Sequence, residues 1–113
     1  MHEMSLSVSL VDMVAARAAA EGAARVIRVG VEVGALGHVE PGALAFCLES
    51  AAQGTALEGA RFEIATPPGR ARCFACGREV EIASRLDDCP RCGGTLLSLL
   101  GGEELRVTEM EIV

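Results

Sequence analysis

Two C-x-x-C pairs, Cys73-Phe-Ala-Cys76 and Cys89-Pro-Arg-Cys92, stand twelve residues apart in this chain. Two residues between cysteines let one tight turn aim both thiolates at a single ion. Two such turns close a tetrahedral four-sulfur site, the geometry of structural zinc. Gly77 and Gly93 follow the pairs, where a knuckle turn wants an unusual backbone angle and a close N–H approach to sulfur. The surrounding segment, about Arg70 to Gly102, is short and poor in apolar residues, so metal would supply much of its folding free energy. All four positions are filled by protein, which leaves no opening for water or substrate and makes the metal structural. The spacing reads as a metal site rather than a thiol-redox pair. The ligands alone leave a second reading open, an iron-bearing rubredoxin-like electron carrier.

The rest of the chain reads as an α+β domain. Met4 to Glu21 has helical spacing, with Leu6, Leu10, Met13 and Val14 on one stripe and Gly22 as the stop. In "RVIRVGVEVG", Ile27, Val29, Val31 and Val33 alternate with Arg28, Gly30 and Glu32, the pattern of a half-buried strand. After a loop from Gly34 to Glu40, a second helix begins at Pro41, buries Leu44, Cys47, Leu48 and Ala51, and ends by Gly54. A hydrophobic staple between Val39 and Leu44 suits its start. Cys47, on that apolar face, reads as a small buried hydrophobe. "RFEIAT" is a second strand, and Pro67-Pro68-Gly69 reads as a stiff linker with some freedom at the glycine. "ELRVTEMEIV" is a third strand whose alternation slips between Leu105/Val107 and Met110/Ile112, which predicts a bulge. Alone it would be poorly stabilised, so it should return to pair with the first sheet. The expected organisation is therefore two helices on a three-stranded mixed sheet (residues 1–68 plus 103–113), with a four-cysteine zinc-ribbon-like domain inserted at residues 69–102.

Composition removes several functions. The net charge is −6, and the ten basic residues are all arginine, so a phosphate-binding surface for nucleic acid is not expected. There is no Trp or Tyr to stack on bases. No basic region precedes the first apolar stretch, and no apolar run approaches a membrane span, so a cytoplasmic protein is expected. There is no P-loop, and the two histidines, His2 and His38, form no nucleophile–base pattern, so the chain is not expected to be an enzyme.

The opening "MHE" has a chemistry of its own. A free α-amine, the amide nitrogen and imidazole of residue 2, and the amide nitrogen of residue 3 can wrap one metal in a four-nitrogen plane. That geometry suits nickel(II) or copper(II) rather than zinc. It requires a retained Met1 with a free amine.

These stretches together resemble the HypA family of hydrogenase-maturation nickel metallochaperones. The resemblance rests on "MHEMSL", on "GALGHVEPGALAFCLESAAQGTALEGA" from Gly34 to Ala60, on the two knuckles and on "GEELRVTEMEIV". It implies nickel held at the extreme N-terminus, with His2 supplying the imidazole and Met1 and Glu3 in the coordinating segment. In some members an acidic residue of the first loop lies nearby, and Glu40 occupies that place. His38 reads as a loop residue first and an auxiliary ligand second. The resemblance also implies structural zinc on Cys73, Cys76, Cys89 and Cys92, and Ni(II) as transferable cargo. The implied partners are a HypB-type GTPase accessory protein and the hydrogenase large subunit precursor. A rival reading from another class is a zinc-ribbon interaction or regulatory module with no nickel role.

Overall fold

A computed structural model describes residues 2–113. The elements are α1 (Glu3–Ala20), β1 (Val26–Val33), α2 (Pro41–Ala52), β2 (Arg61–Ala65), β3 (Gly69–Cys73), β4 (Glu79–Ile82), β5 (Leu97–Gly101) and β6 (Leu105–Ile112). They form two compact units. The first holds the described residues up to Glu32 with Val39–Ala65 and Arg106–Val113; the second holds Val33–His38 and Thr66–Leu105.

In the first unit, α1 packs against α2 and α2 against β2. The sheet order is β2-β1-β6. β1 and β2 run parallel, with Arg28 opposite Arg61 and Val31 opposite Ile64. β6 runs antiparallel to β1: Ala24 N–H donates to Val113 O, while Gly30 lies beside Thr108. The sheet is thus mixed, and the final segment returns to it as expected. The core joins Leu10, Val11, Val14 and Ala18 of α1 to Leu44, Leu48 and Ala52 of α2 and to Val29 and Val31 of β1.

Two expectations about facing need correction. On α1 the buried row is Ser7, Leu10, Val11, Val14 and Ala18, while Met13 is 55% exposed and Leu6 only half-buried. Small Ser7 and Ala18 admit a close helix approach, and hydrophobicity alone does not reveal that. On α2 the buried row ends at Ala52, one residue past the expected Ala51.

β1 also departs from simple alternation. Ile27 is exposed and Gly30 is buried. A Cβ at Gly30 would lie 2.8 Å from Thr108 Oγ1 and 2.9 Å from Glu109 Cγ. Two consecutive β6 side chains thus approach one β1 residue, the arrangement of a bulge. The half-buried residues of β6 shift phase at the same place, from Leu105 and Val107 to Met110 and Ile112.

The second unit is a three-stranded antiparallel sheet in the order β4-β3-β5. Its small core is Leu36, Ala71, Cys73, Val80, Ile82 and Cys89. The Pro-Pro-Gly stretch is not simply a linker. Pro67 O accepts from Ala35 N–H, and Gly69 is the buried first residue of β3, with Leu36 Cδ1 2.4 Å from where its Cβ would be. A Cβ on Gly34 would lie 2.2 Å from Gly102 O, and one on Gly102 would lie 2.5 Å from Gly69 Cα. Three backbones meet where no side chain fits, which explains why the Val33–His38 loop groups with this unit.

Candidate metal centre

The two knuckles of the second unit are built by glycines. Gly77 and Gly93 adopt φ of +74° and +78°, and each donates its N–H to the carbonyl of the first cysteine of its pair, Cys73 and Cys89, at 2.8 Å. A left-handed residue at that point reverses the chain so that both thiols of a pair face inward. Backbone N–H groups approach the sulfurs from outside: Arg91 N–H to Cys89 Sγ and Gly94 N–H to Cys92 Sγ, both at 3.4 Å.

The four sulfurs lie within 4.8 Å of one another. Cys73 Sγ is 3.6 Å from Cys92 Sγ, and Cys76 Sγ is 3.9 Å from Cys89 Sγ. A tetrahedron with zinc–sulfur bonds of about 2.3 Å has sulfur–sulfur edges of about 3.8 Å. The cage therefore matches the metal that the sequence implied. Its protonation chemistry agrees. Burial opposes ionisation of Cys89, but the N–H groups of Arg91 and Cys92 and the neighbouring thiols outweigh it and bring the thiol down to about 7. The Gly94 N–H favours the Cys92 thiolate, yet the Cys73 thiol and burial prevail and push Cys92 up to about 12. Four thiolates this close repel one another, and a divalent cation removes that conflict.

In the first unit, Met1 lies outside the described residues. His2 is the exposed N-cap of α1; its carbonyl accepts the first helical bond, from Leu6 N–H at 3.0 Å, and its side chain makes no capping bond. Glu3 opens the helix. Its carboxyl lies below the usual 4.5: its own backbone N–H lowers it most, burial pushes the other way, and the Glu40 N–H lowers it further. Glu3 and Glu40 are thus brought together. The Glu40 carboxylate has a task that sequence reasoning missed: it accepts from Ala43 N–H and caps α2, with Pro41 in the first turn behind it. An acidic N-cap directly before proline was the available signal.

His38 falls in the second unit, exposed, beside a shallow depression lined by Leu36 and by Ala83 to Leu86. Cys47, expected to be buried on the apolar face of α2, is only half-buried there. Among the described residues, no helix is long and apolar enough to cross a membrane.

Fold and site together define a small α+β protein with a separate four-thiol metal ribbon. A family model described as hydrogenase/urease nickel incorporation, metallochaperone, hypA matches residues 1–112. The chain is 46% identical over 112 residues to hydrogenase maturation factor HypA 2 of Bradyrhizobium diazoefficiens, covering 99% of each. It is 44% identical over 113 residues to hydrogenase maturation factor HypA of Rhodobacter capsulatus, covering 100% of each. The fold is similar to the solution structure of the Ni metallochaperone HypA from Helicobacter pylori, with a TM-score of 0.70 at 20% identity, covering 100% of this chain and 98% of that one. The chain belongs to the HypA family, whose members serve nickel incorporation in hydrogenase maturation.

Proposed function

We propose that this chain is a nickel metallochaperone that binds Ni(II) at its N-terminus and delivers it during maturation of nickel–iron hydrogenase. The observation that carries the reading is the setting of His2: an exposed imidazole with no capping bond, at the start of a helix whose next residue is tied to Glu40. The amides of His2 and Glu3 sit where N–H groups have no partner within the helix. Recruiting the His2 nitrogen as a ligand breaks no helical hydrogen bond; recruiting that of Glu3 displaces its own carboxylate, which is then free to approach the metal. Met1 supplies the amine, His2 the imidazole and its amide, and Glu3 the fourth nitrogen, with Glu40 the nearby acid. Each amide must lose a proton to bind, so acidification releases the cargo.

Zinc on Cys73, Cys76, Cys89 and Cys92 is the structural metal of the second unit; a closed site of this kind supplies shape, not chemistry. The chain itself catalyses nothing. A HypB-type GTPase supplies nucleotide hydrolysis, the hydrogenase large subunit precursor receives the nickel, and the exchange takes place in the cytoplasm.

The test is a nickel titration of untagged protein, of His2→Ala and of protein with extra residues ahead of Met1. Wild type should give the spectrum of planar nickel, and both altered forms should lose it. Equal binding by all three would sink the proposal and leave the zinc-ribbon interaction module in its place.

A further inference from the structure

β6 is an edge strand: in the order β2-β1-β6 it has β1 on one side and, among the described residues, no strand on the other. We propose that this open edge recognises a second copy of the chain, β6 pairing antiparallel with β6. The register sets Arg106 opposite Glu111, Val107 opposite Met110 and Thr108 opposite Glu109, each pair occurring twice about a two-fold axis between residues 108 and 109.

Three observations select the register. The first is backbone direction. Val113 exchanges its N–H and C=O with Arg25 and Ala24, so it faces β1. Strand alternation then turns the polar backbone groups of Ile112 and Met110 to the open edge, and the bulge at Thr108 and Glu109 resets the alternation so that those of Val107 point outward too. Val107 and Met110 therefore meet as hydrogen-bonded partners.

The second is side-chain facing. Val107, Met110 and Ile112 line a groove of about 440 Å³ against Met13 and Val14 of α1. In this register the groove of one copy continues into that of the other, and the exposed Met13 side chains cover the central Val107–Met110 pairs. A slip by one residue would set apolar against polar side chains.

The third is charge. Arg106 is 65% exposed beside Glu32, and Glu111 is 54% exposed beside Arg28. Pairing brings Arg106 to Glu111 at both ends of the interface. An edge that is merely protected from aggregation carries charges that repel on self-pairing; this one carries opposite charges at matching distances from the axis.

The experiment is sedimentation velocity across a wide protein concentration range, with thermal melts confirming that each variant folds. Wild type should show a concentration-dependent dimer. Arg106→Glu sets two glutamates opposite each other, Glu111→Arg sets two arginines, and each should weaken self-association on the order of tenfold. Mixing the two variants should restore the dimer as a heterodimer, because both cross-strand pairs are then Glu opposite Arg. No folding defect within a chain can produce that rescue. A wild type that stays monomeric would overturn the proposal and leave the edge to a strand of another protein. A dimer indifferent to the substitutions, or variants that fail to rescue each other, would equally overturn it.

Discussion

Gly93 and Gly94 are neighbours in the second knuckle, yet alanine should damage the metal site through different physics at each. Gly93 has a φ of +78° and open space where its Cβ would go. Holding alanine there costs about 1–2 kcal/mol of backbone strain, offset by about 0.5 kcal/mol because alanine loses less chain entropy on folding. The net, about 1 kcal/mol, appears as roughly fivefold weaker metal binding, since this unit folds with its metal. The cage itself is unchanged, and Gly93→Asn, which tolerates the left-handed region, should recover most of the loss. Gly94 has no such φ, but a Cβ there would lie 3.0 Å from Cys73 Sγ, 3.1 Å from Ala75 Cβ and 3.3 Å from Cys92 Sγ. The sulfurs must yield by a few tenths of an ångström, as much as a metal site's bond lengths tolerate, about 0.2 Å. Cobalt(II) substitution separates the two cases, because its visible absorption reports coordination geometry, and chelator competition gives the affinity. Gly93→Ala should bind more weakly with an unshifted spectrum; Gly94→Ala should shift the spectrum as well. A Gly94→Ala protein with wild-type spectrum and affinity would refute the reasoning.

Stripping metal with a strong chelator should unfold the second unit, whose core is small and includes two of the ligands, while amide signals of α1 and α2 stay protected; loss of both sets together would contradict it. Ser7→Ala should raise stability by about 1 kcal/mol, because the Ser7 hydroxyl is fully buried with no hydrogen-bond partner among the described residues and alanine is the better helix former; a lower melting temperature would show that the hydroxyl has a partner. Glu63→Gln should flatten the acid limb of the stability curve. Arg61 first, and Arg28 second, hold the Glu63 carboxyl below 4.5, so its contribution is present above the ordinary glutamate value and lost as pH falls through the lowered one. An unchanged slope below that point would argue against these ion pairs.

The sequence made the elements of the first unit legible because each carries a periodicity: the strand in 26–33, the helix opened by Pro41 and the returning strand in 105–112 all lie where spacing placed them. The knuckle glycines were legible for the same local reason, since a C-x-x-C turn needs a left-handed residue behind it. What stayed hidden is set by distant contacts. β3, β4 and β5 are only four or five residues long, too short for alternation to stand out; β3 carries two arginines, β4 two glutamates, and β5 reads as a short leucine-rich run. The meeting of Gly34, Gly69 and Gly102 joins segments tens of residues apart. Arg28 looks like an ordinary solvated residue of β1, yet it is held charged by Glu109, Glu111 and Glu63, residues of two other strands.

The head of α1 poses an electrostatic problem whose answer bears on the proposed cargo. A helix N-terminus carries about half a positive charge and favours anions. The Glu3–Glu40 bond brings the starts of two helices together, which doubles the mismatch for a cation. The two carboxylates already present answer the backbone: Glu40 caps α2, and Glu3 receives its own N–H and that of Glu40. In the proposed site nickel would therefore bring out further negative charge by drawing protons from the His2 and Glu3 amides, because Glu40 is committed to its cap and the Glu3 carboxylate is released only when the Glu3 amide is given up. Binding that depends on generating its own anionic ligands is strongly pH-dependent and easily reversed. A closed cage of four thiolates on a unit that folds around its metal has the opposite character. On the proposed reading the two sites would thus differ in lability as well as in place: the four-thiol site would keep its metal, and the N-terminal site would hold nickel where the fold resists a cation, on the terms a carrier needs in order to let go.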